Sequence, residues 1–174
     1  MVPRIKYHNR LFLMRHAKSD WHSGESDFSR SLSRRGVKDA LMMGRWLAQL
    51  ILPELILCSP ANRAKETLEF LELGGEINLA DNAEFVDELY HASSESIIKC
   101  IQSYATGGGL MVIGHNPGLE DLLLSLLGNN KVLRKYEKPF PTGAIYELII
   151  GDNLNRLDHS SATLSNFMRP KLLQ

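Results

Sequence analysis

Four short apolar runs are spaced along the first two thirds of the chain, and each of them ends in polar residues. They cover residues 11–14, 55–58, 85–86 and 110–113. Short runs that are apolar throughout are typical of strands buried on both faces of a parallel sheet. In a fifth segment, residues 144–150, the residue types alternate in the way typical of a strand and not of a helix. This segment predicts another strand.

Segments with helical periodicity separate these runs. Ser33 is suited to cap a helix over roughly residues 34–50, because the apolar positions there recur at helical spacing until Pro53. Further helices are predicted to begin near Pro60, Ser93 or Ser94, and Pro117, and each ends at one or more glycines. Strands that alternate with helices predict a three-layer α/β/α fold with a mostly parallel central sheet.

Charge and cysteine content narrow the class of protein. The chain has 20 basic and 20 acidic residues and a formal net charge of zero, so we predict neither a nucleic-acid nor a membrane partner. Its two cysteines have no metal-ligand or disulfide spacing, which suits a reducing compartment. No segment reaches the length of a membrane span, and the basic leader lacks a signal-peptide core. We predict one cytoplasmic domain over residues 1–174, with residues 1–9 as a short extension; no oligomeric state is predicted.

The residues that follow the apolar runs suggest a shared chemistry. Arg15 and His16 follow the first run, Arg63 lies just after the second, and His115 follows the fourth. Because functional sites of α/β sheets lie beyond the carboxyl ends of the strands, these side chains are expected to meet. A neutral histidine can attack phosphorus, while arginines and a protonated His115 hold the phosphoryl oxygens. An isolated Arg-His pair is usually an ordinary loop sequence, so the prediction of phosphoryl transfer depends on the recurrence.

The same residues belong to motifs of a known family. Residues 13–21 (LMRHAKSDW) resemble the signature of the histidine phosphatase superfamily, and the alanine after the histidine resembles its SixA-type phosphohistidine phosphatase branch. Supporting matches occur in the family's order at residues 32–36 (LSRRG), 59–64 (SPANRA), 114–118 (GHNPG), 141–143 (PTG) and 167–170 (FMRP). The resemblance covers about residues 10–171 and implies a phosphoglycerate mutase-like three-layer α/β/α sandwich.

The resemblance also implies roles for individual residues. His16 would carry a transient phosphohistidine, and the predicted phosphate ligands are Arg15, Arg63, His115 and Asn116. No metal ion or other cofactor is predicted, because the arginines and His115 supply the positive charge. Glu88 lies just past the carboxyl end of the third predicted strand, a position that we call a strand exit. It is the predicted general acid, with Asp87 as its alternative. A phosphohistidine has an imidazole leaving group with a pKa near 6.5, so such an acid matters less there than for a serine phosphoester.

The implied function is removal of phosphate from phosphohistidine on a protein. One alternative is a small-molecule phosphomonoesterase that uses Glu88 as acid, although the short chain leaves little room for a lid. A second is a non-catalytic module that binds phosphate or a phosphoprotein. A cysteine phosphatase built on Cys58 and Arg63 fails on spacing, since four residues separate them and the Cys-x5-Arg loop has five. The predicted partner is therefore a phosphohistidine-containing protein or a small phosphorylated substrate.

Overall fold

One mixed sheet of six strands forms the centre of the molecule. The computed structural model describes residues 9–105, 107–128, 133, 137–151 and 153–174. The strands are β1 (Asn9–Arg15), β2 (Leu55–Cys58), β3 (Ala83–Phe85), β4 (Leu110–Gly114), β5 (Ile145–Ile150) and β6 (Ala162–Met168). Their order is β3-β2-β4-β1-β5-β6. The first four pair in parallel, whereas β5 is antiparallel to both β1 and β6.

Four α-helices cover the sheet within the described residues, and their ends follow the signals in the sequence. They are α1 (Arg34–Leu47), α2 (Asn62–Gly75), α3 (Ser94–Tyr104) and α4 (Gly118–Leu127). The hydroxyl groups of Ser33 and Ser93 cap α1 and α3, as predicted. Helix α1 ends before residue 50 because the chain tightens after it: Gln49 N and Leu50 N donate to carbonyls three residues earlier.

Alternate residues of each central strand face opposite layers. Leu11 and Leu13 pack into one core with α3 and α4, whereas Phe12 and Met14 pack into the other with α1 and α2. All four side chains are fully buried. Since a strand points successive side chains to opposite faces, an apolar run needs a helical layer on each side. The predicted three-layer α/β/α fold with a mostly parallel sheet is confirmed.

The two ends of the chain differ from the prediction. Asn9, which we had assigned to the N-terminal extension, pairs with Ile150 and belongs to β1; residues 1–8 lie outside the described residues. Strand β6 was not predicted, because its side chains alternate only between half-buried and exposed positions at the sheet edge. Within the described residues, no helix is both long and apolar enough to cross a membrane.

Candidate active site

The carboxyl ends of β1, β2 and β4 bring two histidines and an arginine into contact. Arg63, in the first turn of α2, donates from Nε to His16 Nε2 and from Nη2 to His115 Nδ1, each over 3.3 Å. The two imidazole centroids are 5.1 Å apart. These three residues and Ser59 are buried and together form what we call the floor cluster. The convergence predicted from the strand exits is therefore present for these side chains.

His16 is held in a single tautomer. Its Nδ1 lies 2.7 Å from the carbonyl oxygen of Ala17, which only accepts hydrogen bonds, so Nδ1 carries the proton. Burial is the main cause that lowers the pKa of His16 to about 3, and the neighbouring cations lower it further. At neutral pH the imidazole is therefore uncharged. Its Nε2 lone pair points toward the guanidinium of Arg63.

His115 is neutral as well, which differs from the protonated form that we had expected. Burial first, and the charge of Arg63 second, lower its pKa to about 3. Because Nδ1 accepts from Arg63, the remaining proton is on Nε2, which donates to Ser59 Oγ over 2.7 Å. Ser59 thus determines which nitrogen of His115 faces Arg63.

Asp27 anchors the far side of the Arg63 guanidinium. Arg63 Nη1 donates to the Asp27 carbonyl, and Nη2 lies 3.1 Å from Asp27 Oδ2. The same carboxylate accepts from Tyr90 Oη over 2.7 Å and from Arg30 Nη2 over 2.6 Å. Burial alone would raise the pKa of Asp27, but the hydrogen bonds from Tyr90 and Arg30 and the charge of Arg63 hold it well below its usual range. Asp27 is therefore ionised.

A second group of side chains lies next to the floor cluster and is more exposed than it. His91 Nε2 is 3.2 Å from Asp27 Oδ2, and the Tyr90 ring lies 4.1 Å from the ring of His91 and 5.1 Å from that of Phe28. We call Asp27, Phe28, Tyr90 and His91 the rim cluster. They come from the β1–α1 loop and from the turn after β3, so the rim joins two segments that are distant in sequence.

Arg15 lies beside the floor cluster, and one buried N–H group of its guanidinium is available for a further hydrogen bond. Its Nη1 donates to the carbonyl of Phe140 over 2.9 Å. Its Nε is buried, and among the described residues no acceptor lies within hydrogen-bonding distance of it. An unpaired buried N–H is costly, so this donor is suited to receive an oxyanion.

The side chain of Asn116 is directed away from a role as phosphate ligand. Both hydrogens of its Nδ2 are used, one by Glu120 Oε2 at 2.9 Å and the other by the Phe140 carbonyl at 3.1 Å. The presence of two acceptors there also supports the assignment of N and O in this amide. The structure therefore leaves Asn116 no side-chain donor for phosphate and places it as a brace of the β4–α4 turn.

Glu88 is not brought to the histidines. It lies in a short 3-10 turn (Asp87–Leu89), and its side chain lines a cavity of about 250 Å³ together with residues of α3 such as Lys99 and Cys100. Its predicted role as general acid at the floor cluster consequently has no support in this geometry. The turn follows β3 after one residue, and Glu88 interacts electrostatically with Cys100 of α3.

Two further residues hold the backbone of the site. Thr67 Oγ1 accepts from Ala17 N over 3.0 Å and donates to the Arg63 carbonyl over 2.6 Å, so it ties the β1 exit to α2. Gly143 N donates to the carbonyls of Arg15 and His16. Gly143 has a φ of 77°, and an added Cβ would lie 2.9 Å from Pro170 Cγ, so glycine suits this position.

The cysteine alternative does not fit the structure. Cys58 is fully buried, and its burial raises the pKa of the thiol to about 12. A thiolate nucleophile is not available there at neutral pH. Among the described residues, no group of three or more His, Cys, Asp or Glu side chains is arranged to hold a metal ion.

Sequence reasoning missed several residues of the site. Tyr90 lies shortly after the third strand. The criterion that selected Arg15 and His115, a polar residue just after an apolar run, could therefore also have selected Tyr90. Asp27 and Thr67 carried no such signal: Asp27 is one of several polar residues in a loop, and Thr67 lies within a helix.

Comparison with known proteins agrees with this geometry. The family model of the histidine phosphatase superfamily (branch 1) matches residues 11–89. The phosphohistidine phosphatase SixA of Escherichia coli is 32% identical over 112 residues, which cover 62% of this chain and 68% of that protein. The chain belongs to the histidine phosphatase superfamily. Within that superfamily it belongs to the SixA-type branch.

Two further relatives extend the likeness over nearly the whole chain. An uncharacterized protein of Mycobacterium tuberculosis is 31% identical over 164 residues, which cover 91% of this chain and 100% of that protein. The solved structure of a protein histidine phosphatase SixA complexed with tungstate superimposes with a TM-score of 0.75 at 27% identity, covering 95% of this chain and 99% of that one.

Proposed function

We propose that this protein is a phosphatase that removes phosphate from phosphohistidine on a protein, through a transient phosphohistidine at His16. The observation that carries the proposal is the state of His16: Nδ1 donates to the Ala17 carbonyl, and the unprotonated Nε2 faces the guanidinium of Arg63. A nucleophilic imidazole needs this single neutral tautomer.

In the first step His16 Nε2 uses its lone pair to form a bond to phosphorus. The bond from phosphorus to the leaving atom breaks, and its electron pair stays with that atom. When the substrate is bound, Arg63 donates to the phosphoryl oxygens the N–H groups that now face the two imidazoles. The unpaired Nε of Arg15 donates to these oxygens as well. Such fixed donors stabilise the charge of a loose phosphoryl-transfer transition state. These cations would supply the charge without a metal ion.

In the second step a water oxygen bonds to phosphorus as the bond to His16 Nε2 breaks. The electron pair returns to Nε2, and inorganic phosphate leaves. His115 would aid both steps, because a nearby phosphate dianion favours the imidazolium form, whose Nδ1–H then donates to an oxygen. Its present contacts with Ser59 and Arg63 hold the ring in place for this change.

The preference for phosphohistidine rests on the leaving group and on the relatives. An imidazole has a pKa near 6.5 and departs more readily than a serine alkoxide. Within the part of the chain that the structure describes, no neutral carboxylic acid contacts Arg63, because Asp27 is held ionised and Glu88 lines the cavity beside α3. The similarity to the Escherichia coli phosphohistidine phosphatase supports the same preference, and the tungstate complex of a relative supports an oxyanion site.

The rim suits a protein as substrate. Phe28 is 45% exposed, and Trp21, in the same loop, is 67% exposed. Exposed aromatic side chains are typical of surfaces that contact other proteins. The two cysteines of this chain are free, which suits a reducing compartment, and we place the reaction in the cytoplasm.

The test compares turnover of a phosphohistidine-bearing protein with turnover of phosphoserine in the wild type, His16→Ala and Glu88→Gln. We expect phosphohistidine to be hydrolysed faster, His16→Ala to lose at least about 10⁴-fold in rate, and Glu88→Gln to stay near the wild-type rate. Loss of phosphoserine turnover in Glu88→Gln would instead indicate a small-molecule phosphomonoesterase. Phosphate binding without turnover of either substrate would indicate a binding module.

A further inference from the structure

His91 occupies the outer edge of the site in a restrained position. Its side chain is 61% exposed, whereas His16 and His115 are buried. Its ring centroid lies 6.0 Å from that of His115 and 4.1 Å from that of Tyr90, and its Nε2 is 3.2 Å from Asp27 Oδ2. The residue combines access to solvent with a fixed orientation toward the floor cluster.

The backbone around His91 is also constrained. Its φ is 54°, in the left-handed region that non-glycine residues adopt sparingly. The next residue, Ala92, packs against the start of α4, where a Cβ added to Gly118 would lie 2.0 Å from the Ala92 carbonyl oxygen. Unusual φ angles of this kind persist where the surrounding structure enforces them, often at functional sites. The turn therefore presents His91 in one place.

The position matches the side on which a leaving group departs. In phosphoryl transfer the attacking and leaving atoms lie roughly in line on opposite sides of phosphorus. Since His16 attacks from the buried floor, the leaving atom points outward, toward the rim cluster. His91 is a titratable rim side chain whose ring centroid lies 6.0 Å from that of His115, and its Nε2 lies 3.2 Å from the ionised carboxylate of Asp27.

We propose that His91, held by Asp27, is the proton donor and acceptor of this site, in the place that sequence reasoning gave to Glu88. This inference rests on the proposed function. Because Nε2 faces Asp27, the His91 imidazolium gives the proton of its Nδ1 to the leaving nitrogen or oxygen while that atom takes the electron pair of its bond to phosphorus. The neutral imidazole then accepts a proton from the water that attacks phosphohistidine-16, which restores the imidazolium as inorganic phosphate forms.

Asp27 is the nearest charged group to His91. Its carboxylate lies 3.2 Å from His91 Nε2 and also bonds to the guanidinium groups of Arg63 and Arg30, while the neutral ring of His115 lies 6.0 Å from that of His91. Tyr90 packs against the ring and donates its own hydroxyl hydrogen to the same carboxylate. Histidine is the residue type whose charge changes near neutral pH. This property suits a residue that must donate a proton in the first step and accept one in the second.

The experiment uses two aryl phosphates whose leaving groups differ in pKa, p-nitrophenyl phosphate and phenyl phosphate. The variant is His91→Asn, because asparagine tolerates a positive φ and does not titrate. The control is His159→Gln, an exposed histidine that bonds to Ser125 Oγ, away from the site. We expect His91→Asn to lower phenyl phosphate turnover about 10²-fold or more, with a small change for the activated p-nitrophenyl ester. The alkaline decline of the wild-type pH profile for phenyl phosphate should disappear in His91→Asn.

Each other outcome has a distinct meaning. Equal losses on both substrates would assign His91 to binding and would overturn the inference, as would an unchanged rate on both. An alkaline decline that persists in His91→Asn would also overturn it. If the wild type hydrolyses neither ester nor a phosphohistidine-bearing protein in a His16-dependent manner, the proposed function fails and the inference fails with it.

Discussion

The floor cluster and the rim cluster meet at Arg63, yet they are built differently. His16, Ser59 and His115 are buried at the ends of strands that are hydrogen-bonded on both sides. Asp27, Phe28 and His91 are partly or largely exposed and lie in a loop and a turn. The floor is therefore a fixed arrangement of neutral imidazoles around a cation, whereas the rim is the part that meets solvent and substrate.

The difference separates two tasks in a single small site. Burial keeps the floor histidines uncharged, which suits a nucleophile but leaves them poorly suited to supply protons. The exposed rim has the opposite property, since Asp27 is ionised and His91 is open to solvent. Mutations at the floor should therefore abolish or sharply reduce turnover, and mutations at the rim should change its dependence on leaving group and pH.

Replacing Arg63 tests the contact between the two clusters and should have a larger effect than the other changes compared below. Arg63→Lys keeps the charge but loses the fork that reaches His16, His115 and Asp27 together. We expect kcat/KM to decline by roughly 10²–10³-fold, equivalent to about 2.7–4 kcal/mol. Arg45→Lys, at an exposed position of α1, is the matched control and should be unchanged. An active Arg63→Lys enzyme would show that the fork geometry is dispensable.

The floor histidines should make stability depend on pH. Their folded-state pKa values are about 3, below the value near 6.5 in an unfolded chain, so the unfolded state binds more protons between these limits. Their full contribution is present above about pH 6.5 and is lost as the pH falls toward 3. For one such histidine the loss between pH 7 and pH 5 is on the order of 2 kcal/mol.

Urea unfolding at pH 7, 6 and 5 measures this loss. His16→Gln should show a shallower decline than the wild type, and the exposed His159→Gln should retain the full decline. Asp27 does not interfere in this window, because a lowered carboxyl pKa removes stability only below about pH 4. Identical declines in the wild type and His16→Gln would contradict the buried neutral state of His16.

Removing one hydroxyl group from each cluster compares the same chemical change in the buried floor cluster and in the more exposed rim cluster. Ser59→Ala leaves the buried Nε2–H of His115 without its acceptor and should lower the free energy of unfolding by about 1–3 kcal/mol. Tyr90→Phe removes one of several donors to the exposed Asp27 and should lower it by less than about 1 kcal/mol. Chemical unfolding at pH 7 distinguishes these values. A larger effect of Tyr90→Phe would mean that the rim is the more rigid region.

The strand exits could be recognised in the sequence because their signal is local. A fully apolar run followed by a polar residue marks a buried strand and its end, and this criterion placed Arg15, His16 and His115 at one edge of the sheet. The direction in which a side chain points after the strand is not determined by the local sequence. Glu88 and Asn116 lie at such exits, but a tight turn and two nearby acceptors direct them elsewhere.

By itself, the sequence determined the order along the chain of the first five strands and the four helices, the edge of the sheet where the candidate catalytic residues meet, and the family. Hydrophobic periodicity and short motifs carry that information, and neither depends on distant contacts. Only the tertiary structure decided that Asp27 bonds to Arg63, that Ser59 and Ala17 fix the tautomers of the two histidines, and that the exposed His91 lies beside His115. These choices depend on how loops from distant parts of the chain pack together, and polar loop residues have no periodicity from which that packing can be deduced.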